Sequence, residues 1–320
     1  MDDEDRRLLE RTLARAAAQH TGGALDAALA ELGWLDALSI DPRAAISLLF
    51  QLQGATNTTS SALGRVLAHA LGVGSGPEIG IVLPPVGRWD PPGTVDADDL
   101  VVHGLGPASL SGVGSALIVT SIGKRTVGIT VPTASLVLRA VNGMDQGLAL
   151  LEVTARTTVA EHMSEALDCD WASALVLGRL ALAHELVGAS RTMLDLACEH
   201  ARGRIQFGRP IGSFQAIRHR LAETLVGIDM ADAMLDSAWH DHSPETAAMA
   251  KSVAGRQART TARNCQQVLA GIGFTTEHPL HHYIRRTLVL DALLGSATSL
   301  TRALGAEVIS TSQLPVLPPL

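Results

Sequence analysis

Aromatic residues are nearly absent from this chain: four Phe, four Trp and one Tyr make up 3% of its 320 residues. The 47% hydrophobic content is therefore carried by Ala, Leu and Val, a composition suited to helices packed closely through small side chains. Cysteine is also scarce. Cys169, Cys198 and Cys265 are an odd number at wide spacing with no CxxC pair, and read as reduced thiols of a cytosolic protein. Excess positive charge is missing: a formal net charge of −7 argues against a general nucleic-acid binder, which needs a basic surface to displace counterions. No uninterrupted apolar run is long enough to span a bilayer, and Met1-Asp2-Asp3-Glu4-Asp5 is unlike a signal or transit peptide. The expectation is a soluble cytoplasmic protein that contacts neither nucleic acid nor membrane. There is no GxSxG elbow, no Walker A motif and no dinucleotide GxGxxG after a strand. His240-Asp241-His242 and His278 with His281-His282 lack suitably spaced partners and read as loop histidines at helix ends, so no metal site is expected.

What is present falls into three stretches, as expected for a length that suits two or three structural units. Residues 1–72 are Ala/Leu-rich, with Pro42 their only proline. Leu25 to Leu32 has the apolar spacing of an amphipathic helix, stopped by Gly33, and further helical blocks run from Arg43 to Gln53 and from about Ser61 to Leu71. Across 73–160, seven prolines fall between Pro77 and Pro132. Val, Ile and Thr alternate with Gly in short runs at Ile79–Leu83, Leu117–Thr120 and Thr126–Val131, which predicts a compact sheet or barrel. Residues 161–312 are helical again, broken only at Pro210, Pro244 and Pro279. The tail 313–320 is Pro-rich and reads as extended.

Two motifs carry chemistry. Arg204-Ile205-Gln206-Phe207-Gly208-Arg209-Pro210 groups a cation, an amide and a ring before a glycine, suited to gripping an anionic, flat-ringed cofactor. About sixty residues later comes Gln267-Val268-Leu269-Ala270-Gly271-Ile272-Gly273-Phe274, where missing side chains let backbone amides approach phosphate. Read alone, Arg204 and Gln267 could equally satisfy helix ends. Together the motifs resemble those of the acyl-CoA dehydrogenase family, as does the helix–β–helix order. The resemblance implies a mainly helical protein with a small β-barrel-like middle domain and a carboxy-terminal four-helix bundle. It also implies FAD as cofactor, with Arg204, Gln206, Phe207, Gln267 and Gly271 binding it, usually on the FAD of a neighbouring subunit. Ala270 replaces one glycine of the family's usual pair.

Dehydrogenation of an acyl-CoA requires a carboxylate to remove the α-proton in a site dry enough to raise its proton affinity. The resemblance places that Glu after the Tyr283-Ile284-Arg285 stretch, where this chain has Leu294-Gly295-Ser296. Some relatives carry it instead just before Arg179, where Gly178 stands. Glu185, seven residues on, returns to nearly the same helix face about 10 Å further along. Surrounded by Leu, Ala and Val, it is the candidate base, with Arg179 as its electrostatic partner. It could equally be structural, paired with Arg179 or Arg191 or set at a subunit contact.

The family's "T-E-P" and "W-I-[ST]" stretches are missing from Ile81–Trp89 and Pro107–Gly114, and the leading helical part is short. Such departures resemble the shortened subunit of actinobacterial heteromeric (α2β2) acyl-CoA dehydrogenases of the steroid-degradation type. That resemblance implies a chain lending Arg204, Gln206, Phe207 and Gln267 to a flavin held by a second subunit, with an acyl-CoA substrate and an electron-transfer flavoprotein as acceptor. A self-sufficient homo-oligomeric dehydrogenase using Glu185 and a non-catalytic scaffold are the alternatives.

Overall fold

The computed structural model describes residues 1–73, 79–159 and 166–312. Its helical leading part comprises α1 (Asp3–Gln19), α2 (Gly23–Glu31), α3 (Trp34–Ile40), α4 (Pro42–Thr56) and α5 (Ala62–Ala70). The Asp41 side chain accepts from the Ala44 amide and Pro42 occupies the first turn, which together set where α4 begins. Gly33 does not end the helical region. It turns the chain at φ +67°, and α3 follows at once.

Eight strands then form one sheet: β1 (Ile79–Ile81), β2 (Gly93–Asp96), β3 (Asp99–Pro107), β4 (Ser115–Ile122), β5 (Arg125–Pro132), β6 (Val137–Ala140), β7 (Leu150–Thr158) and β8 (Leu167–Asp168). The order is β6-β7-β3-β2-β4-β5-β8, with β1 alongside β4; β1 and β2 run parallel to β4 and the other pairs are antiparallel. Alternation sends successive side chains to opposite faces. Along β4, Ala116 and Ile118 enter the sheet's own core, while Leu117 and Val119 pack toward the helices.

The carboxy-terminal part is built on α6 (Trp171–Gly203), with α7 (Gln215–Asp241), α8 (Pro244–Leu269), α9 (Leu280–Ala292) and α10 (Ala297–Thr311) around it. A small hairpin of β9 (Ile205–Gln206) and β10 (Arg209–Pro210) joins α6 to α7. Pro210 lies in β10, Pro244 opens α8 and Pro279 precedes α9. By length and composition α6 could cross a membrane, but its most apolar window is 89% buried within the protein, which makes it the core helix. Small residues bring it against α4: a Cβ on Gly54 would lie 2.0 Å from the Glu185 carbonyl oxygen, and one on Gly188 would lie 2.2 Å from that of Gln51. These two glycines hold α4 and α6 at backbone contact. The tail expected to be extended lies outside the described residues.

Candidate functional site

The two positions at which the resemblance places a base meet in space. Leu294 lies at the turn between α9 and α10, and its side chain packs on Gly178 of α6: a Cβ there would come within 2.7 Å of Leu294 Cδ1 and 2.9 Å of Leu67 Cδ2. The point is filled by hydrocarbon. The turn itself is strained and tightly held. Leu294 has φ +53° and Gly295 φ +101°, and a Cβ on Gly295 would press on Leu300 and the Trp89 ring at 2.8–3.0 Å. Arg179 Nε donates to the Leu294 carbonyl at 3.2 Å, with its guanidinium 5.8 Å from the centre of the Trp89 ring. Lys251, fully buried in α8, donates from Nζ to the carbonyls of Asp291 (2.9 Å) and Gly295 (3.3 Å). Burial lowers Arg179 to about 10 and Lys251 to about 8.

Glu185 is buried and its carboxyl is pushed up to about 7, first by burial, while Arg286 pulls it back. Its partner is neither Arg179 nor Arg191. Arg179 reaches the Leu294 turn, and Arg191 pairs with Asp229 and Asp232 on α7. Instead Arg286 Nη1 lies 3.5 Å from Glu185 Oε1. The same guanidinium pairs with Asp145 and donates to the Thr58 carbonyl (2.8 Å) and the Thr59 hydroxyl (3.0 Å). Arg286 therefore ties α9 to α6, to the loop between α4 and α5 and to the loop between β6 and β7. Glu185 faces an apolar cavity of about 50 Å³ bordered by Phe50, Leu182 and Leu290. That space suits one or two waters rather than an acyl-CoA.

The cofactor candidates stand elsewhere. Arg204 lies nineteen positions after Glu185 along α6 and its cap, about 28 Å at the helical rise. There the chain turns into the β9–β10 hairpin with Phe207 at φ +52° and Gly208 at φ +76°. A Phe in the left-handed region, 91% exposed, is a costly arrangement that points to a contact outside the chain. Its ring meets Phe214 edge-on at 6.0 Å, and the Arg209 guanidinium stacks 4.3 Å from the Phe214 ring centre. Arg204 is exposed and has no ion pair or side-chain hydrogen bond among the described residues. The Gln206 amide donates to the Ile205 carbonyl at 2.8 Å.

Gln267 is exposed on the last turn of α8, and Gly271 lies in the tight turn beyond, where a Cβ would meet nothing within 4 Å. Packing of Ala197 and Ala201 with Cys265, Val268 and Leu269 brings the ends of α6 and α8 together. The structure thus groups Arg204, Gln206, Phe207, Gln267 and Gly271 at one open end of the bundle. It keeps them apart from Glu185 and Arg179. A cation, an amide, a ring and an uncovered glycine with nothing of the chain over them fit the pyrophosphate and adenine of an FAD lying against this end. Lys251, Asp291 and Arg286 escape sequence reasoning, because their partners are distant in the chain.

Residues 171–309 match the family model described as "Acyl-CoA dehydrogenase, C-terminal domain". The chain carries an acyl-CoA dehydrogenase carboxy-terminal domain. Over 127 residues, 40% of each chain, this acyl-CoA dehydrogenase-like chain is 42% identical to "Acyl-CoA dehydrogenase IpdE2" of Mycobacterium tuberculosis. With "Acyl-CoA dehydrogenase FadE34" of the same organism it is 32% identical over 268 residues, 79% of this chain and 31% of that one. The matches therefore span well under half the length of these relatives. Among solved structures, the ChsE4–ChsE5 complex of Mycobacterium tuberculosis superposes with a TM-score of 0.77 at 19% identity, covering 99% of both chains. The butyryl-CoA dehydrogenase of Megasphaera elsdenii gives 0.74 at 16%, covering 97% of this chain and 99% of that one. These likenesses show the shared acyl-CoA dehydrogenase fold: helical, with a small sheet in the middle.

Proposed function

We propose that the chain is one subunit of an FAD-dependent acyl-CoA dehydrogenase that introduces an α,β-double bond into an acyl-CoA thioester. Its own part is to complete a flavin site at a subunit interface with Arg204, Gln206, Phe207, Gln267 and Gly271. The observation that carries this reading is the separation within the chain. The centre where the family's base positions meet is closed by Leu294 over Gly178, whereas the cofactor-facing side chains stand exposed about 28 Å beyond Glu185.

FAD, when bound, supplies the acceptor for the β-hydride. The chain's residues contribute binding: the Arg204 guanidinium neutralises phosphate, and Gln206 and Gln267 present amides. Phe207 offers a ring face, and Gly271 leaves room for close approach of backbone. The proton-abstracting carboxylate then belongs to the partner, a second acyl-CoA dehydrogenase subunit, and an electron-transfer flavoprotein serves as the onward acceptor. The ChsE4–ChsE5 complex and a structural neighbour described as a "steroid ACAD" (TM-score 0.75, 19% identity) support a heteromer acting on steroid-derived acyl-CoA.

Purification of the chain alone, and co-expressed with a full-length acyl-CoA dehydrogenase subunit, tests this by flavin absorbance and particle mass. A colourless chain that joins a yellow, active complex is expected. Stoichiometric flavin on the isolated chain would overturn the division of labour.

A further inference from the structure

Four stretches of the chain meet around an open, hydrophilic pocket of about 780 Å³, within the range of small-molecule sites. They are the α1–α2 turn at Thr21, the α4–α5 loop at Asn57 and Thr59, the β6–β7 loop, and α9 at His282 and Arg285. Its walls are tied together. The Thr59 amide donates to the Thr21 hydroxyl at 3.1 Å, and the Thr59 hydroxyl donates to the Gly147 carbonyl at 3.0 Å. Asp145 is the pocket's one carboxylate among the described residues, and both of its oxygens are occupied. One accepts from Arg286 and the other from the Gly147 amide at 3.0 Å.

Positive charge is left over. Arg285 is exposed, with no ion pair or side-chain hydrogen bond among the described residues. Beside it, His282 makes a ring contact with His281, their centroids 3.9 Å apart. Burial first, then His281 and Arg285, hold the His282 ring below its ordinary value, while Asp145 pulls the other way. An anion relieves such crowding. The pocket also holds an unmet acceptor, because Asn57 Oδ1 is buried without a partner among the described residues. An amide oxygen only accepts, so whatever meets it must bring a hydrogen. An occupant is therefore anionic toward Arg285 and His282 and carries a proton toward Asn57. Phosphate does both in one group, since it keeps a proton up to a second pKa of about 6 or higher, whereas sulfate and carboxylate only accept. We infer that this pocket binds a phosphate group, either inorganic or at the end of a small hydrophilic ester. No flavin-facing residue lines it, and neither Gly178 nor Leu294 does.

Calorimetric titration of the full chain with sodium phosphate and sodium sulfate at pH 6 tests it. Wild type is expected to bind phosphate at least about tenfold more tightly, although sulfate carries the larger negative charge. Arg285→Ala is expected to weaken phosphate binding at least about tenfold, since it removes a charge-assisted contact from an exposed position. Asn57→Gly suits the backbone, whose φ is +54°, and is expected to erase the preference for phosphate while leaving sulfate affinity unchanged. Far-UV circular dichroism checks that both variants fold. Glycerol 3-phosphate separates the two sources: tighter binding than phosphate identifies an ester as occupant, and weaker binding identifies inorganic phosphate. No phosphate binding by wild type, equal affinity for the two anions, or unchanged phosphate affinity in Arg285→Ala overturns the proposal. A preference that survives Asn57→Gly overturns it as well. None of these outcomes bears on the interfacial role of Arg204, which the flavin content of the complex reads separately.

Discussion

Leu294 closes over Gly178, so the two places where the resemblance puts a base are pressed together in this chain with no acid at either. The contact is hydrocarbon on backbone, reinforced by Leu67 from α5 and roofed by the Arg179–Trp89 pair. Adding a methyl group at Gly178 would displace only the flexible ends of Leu294 and Leu67. At Gly188 the same methyl group would strike the Gln51 carbonyl of α4. Gly178→Ala is therefore expected to cost about 1–3 kcal/mol, the usual range for overpacking. Gly188→Ala should cost more, because two helix backbones must separate. Denaturant midpoints for both variants check this ranking, and equal midpoints would show that α4 and α6 are not held at backbone contact.

The Glu185–Arg286 pair gives a pH signature. Glu185 stands at about 7 in the folded chain against a reference of 4.5, so the folded state holds the extra proton between those values. Its contribution to stability is fullest below about 4.5 and declines as pH rises toward 7, by at most about 1.4 kcal/mol per unit. Glu185→Gln removes that decline. Urea unfolding at pH 5, 6 and 7 should show wild type losing ground to the variant as pH rises. A constant difference would mean that Arg286 keeps Glu185 ionised throughout. If the base lies in the partner, as proposed, the same variant should retain turnover in the assembled enzyme; lost turnover with flavin retained would make Glu185 the base.

Lys251 gives the opposite slope at high pH. Burial lowers it to about 8 from 10.5, so between those values the unfolded chain binds more protons and stability rises with pH. Lys251→Met should abolish that rise. It should also cost about 1–3 kcal/mol at neutral pH, because the Asp291 and Gly295 carbonyls lose their donor. Unfolding curves at pH 8, 9 and 10 distinguish the two effects, and an unchanged slope would place the titration elsewhere.

At the hairpin, stability and function should part company. Phe207 is exposed at a positive φ, so Phe207→Gly relieves backbone strain at little packing cost and is expected to stabilise the isolated chain by about 1 kcal/mol. Arg204→Ala, also at an exposed position, should change stability by less than about 0.5 kcal/mol. Both should lower the flavin content of the co-purified complex. Full flavin retention in the two variants would remove this end of the bundle from the cofactor site.

Much of the architecture is legible in the sequence because its periodicities are local. The Leu25–Leu32 spacing gives α2, and the Val/Ile/Thr runs mark β1, β4 and β5. Helix α3 is hidden because Gly33 reads as a stop, and only its φ of +67° shows a turn into another helix. The motif residues are legible as a group because they come in two compact runs. The partners of Glu185 are not. Arg285 and Arg286 are adjacent, yet the helix turns about 100° between them, so the first is exposed and the second is buried against Asp145 and Glu185. Nothing in the order of letters tells which of two neighbouring arginines faces inward. Lys251 is hidden in the same way, its two acceptors lying forty and forty-four residues away.

The length of α6 has an evolutionary consequence. A single rigid helix of 33 residues carries the Gly178 contact near one end and leads into the Arg204 hairpin at the other, with no side chain common to both. Mutations that erase chemistry at the first end are not felt at the second, and selection can act on the two independently. A duplicated gene for such a chain can lose its own reaction centre and still be retained for what its far end does for another subunit.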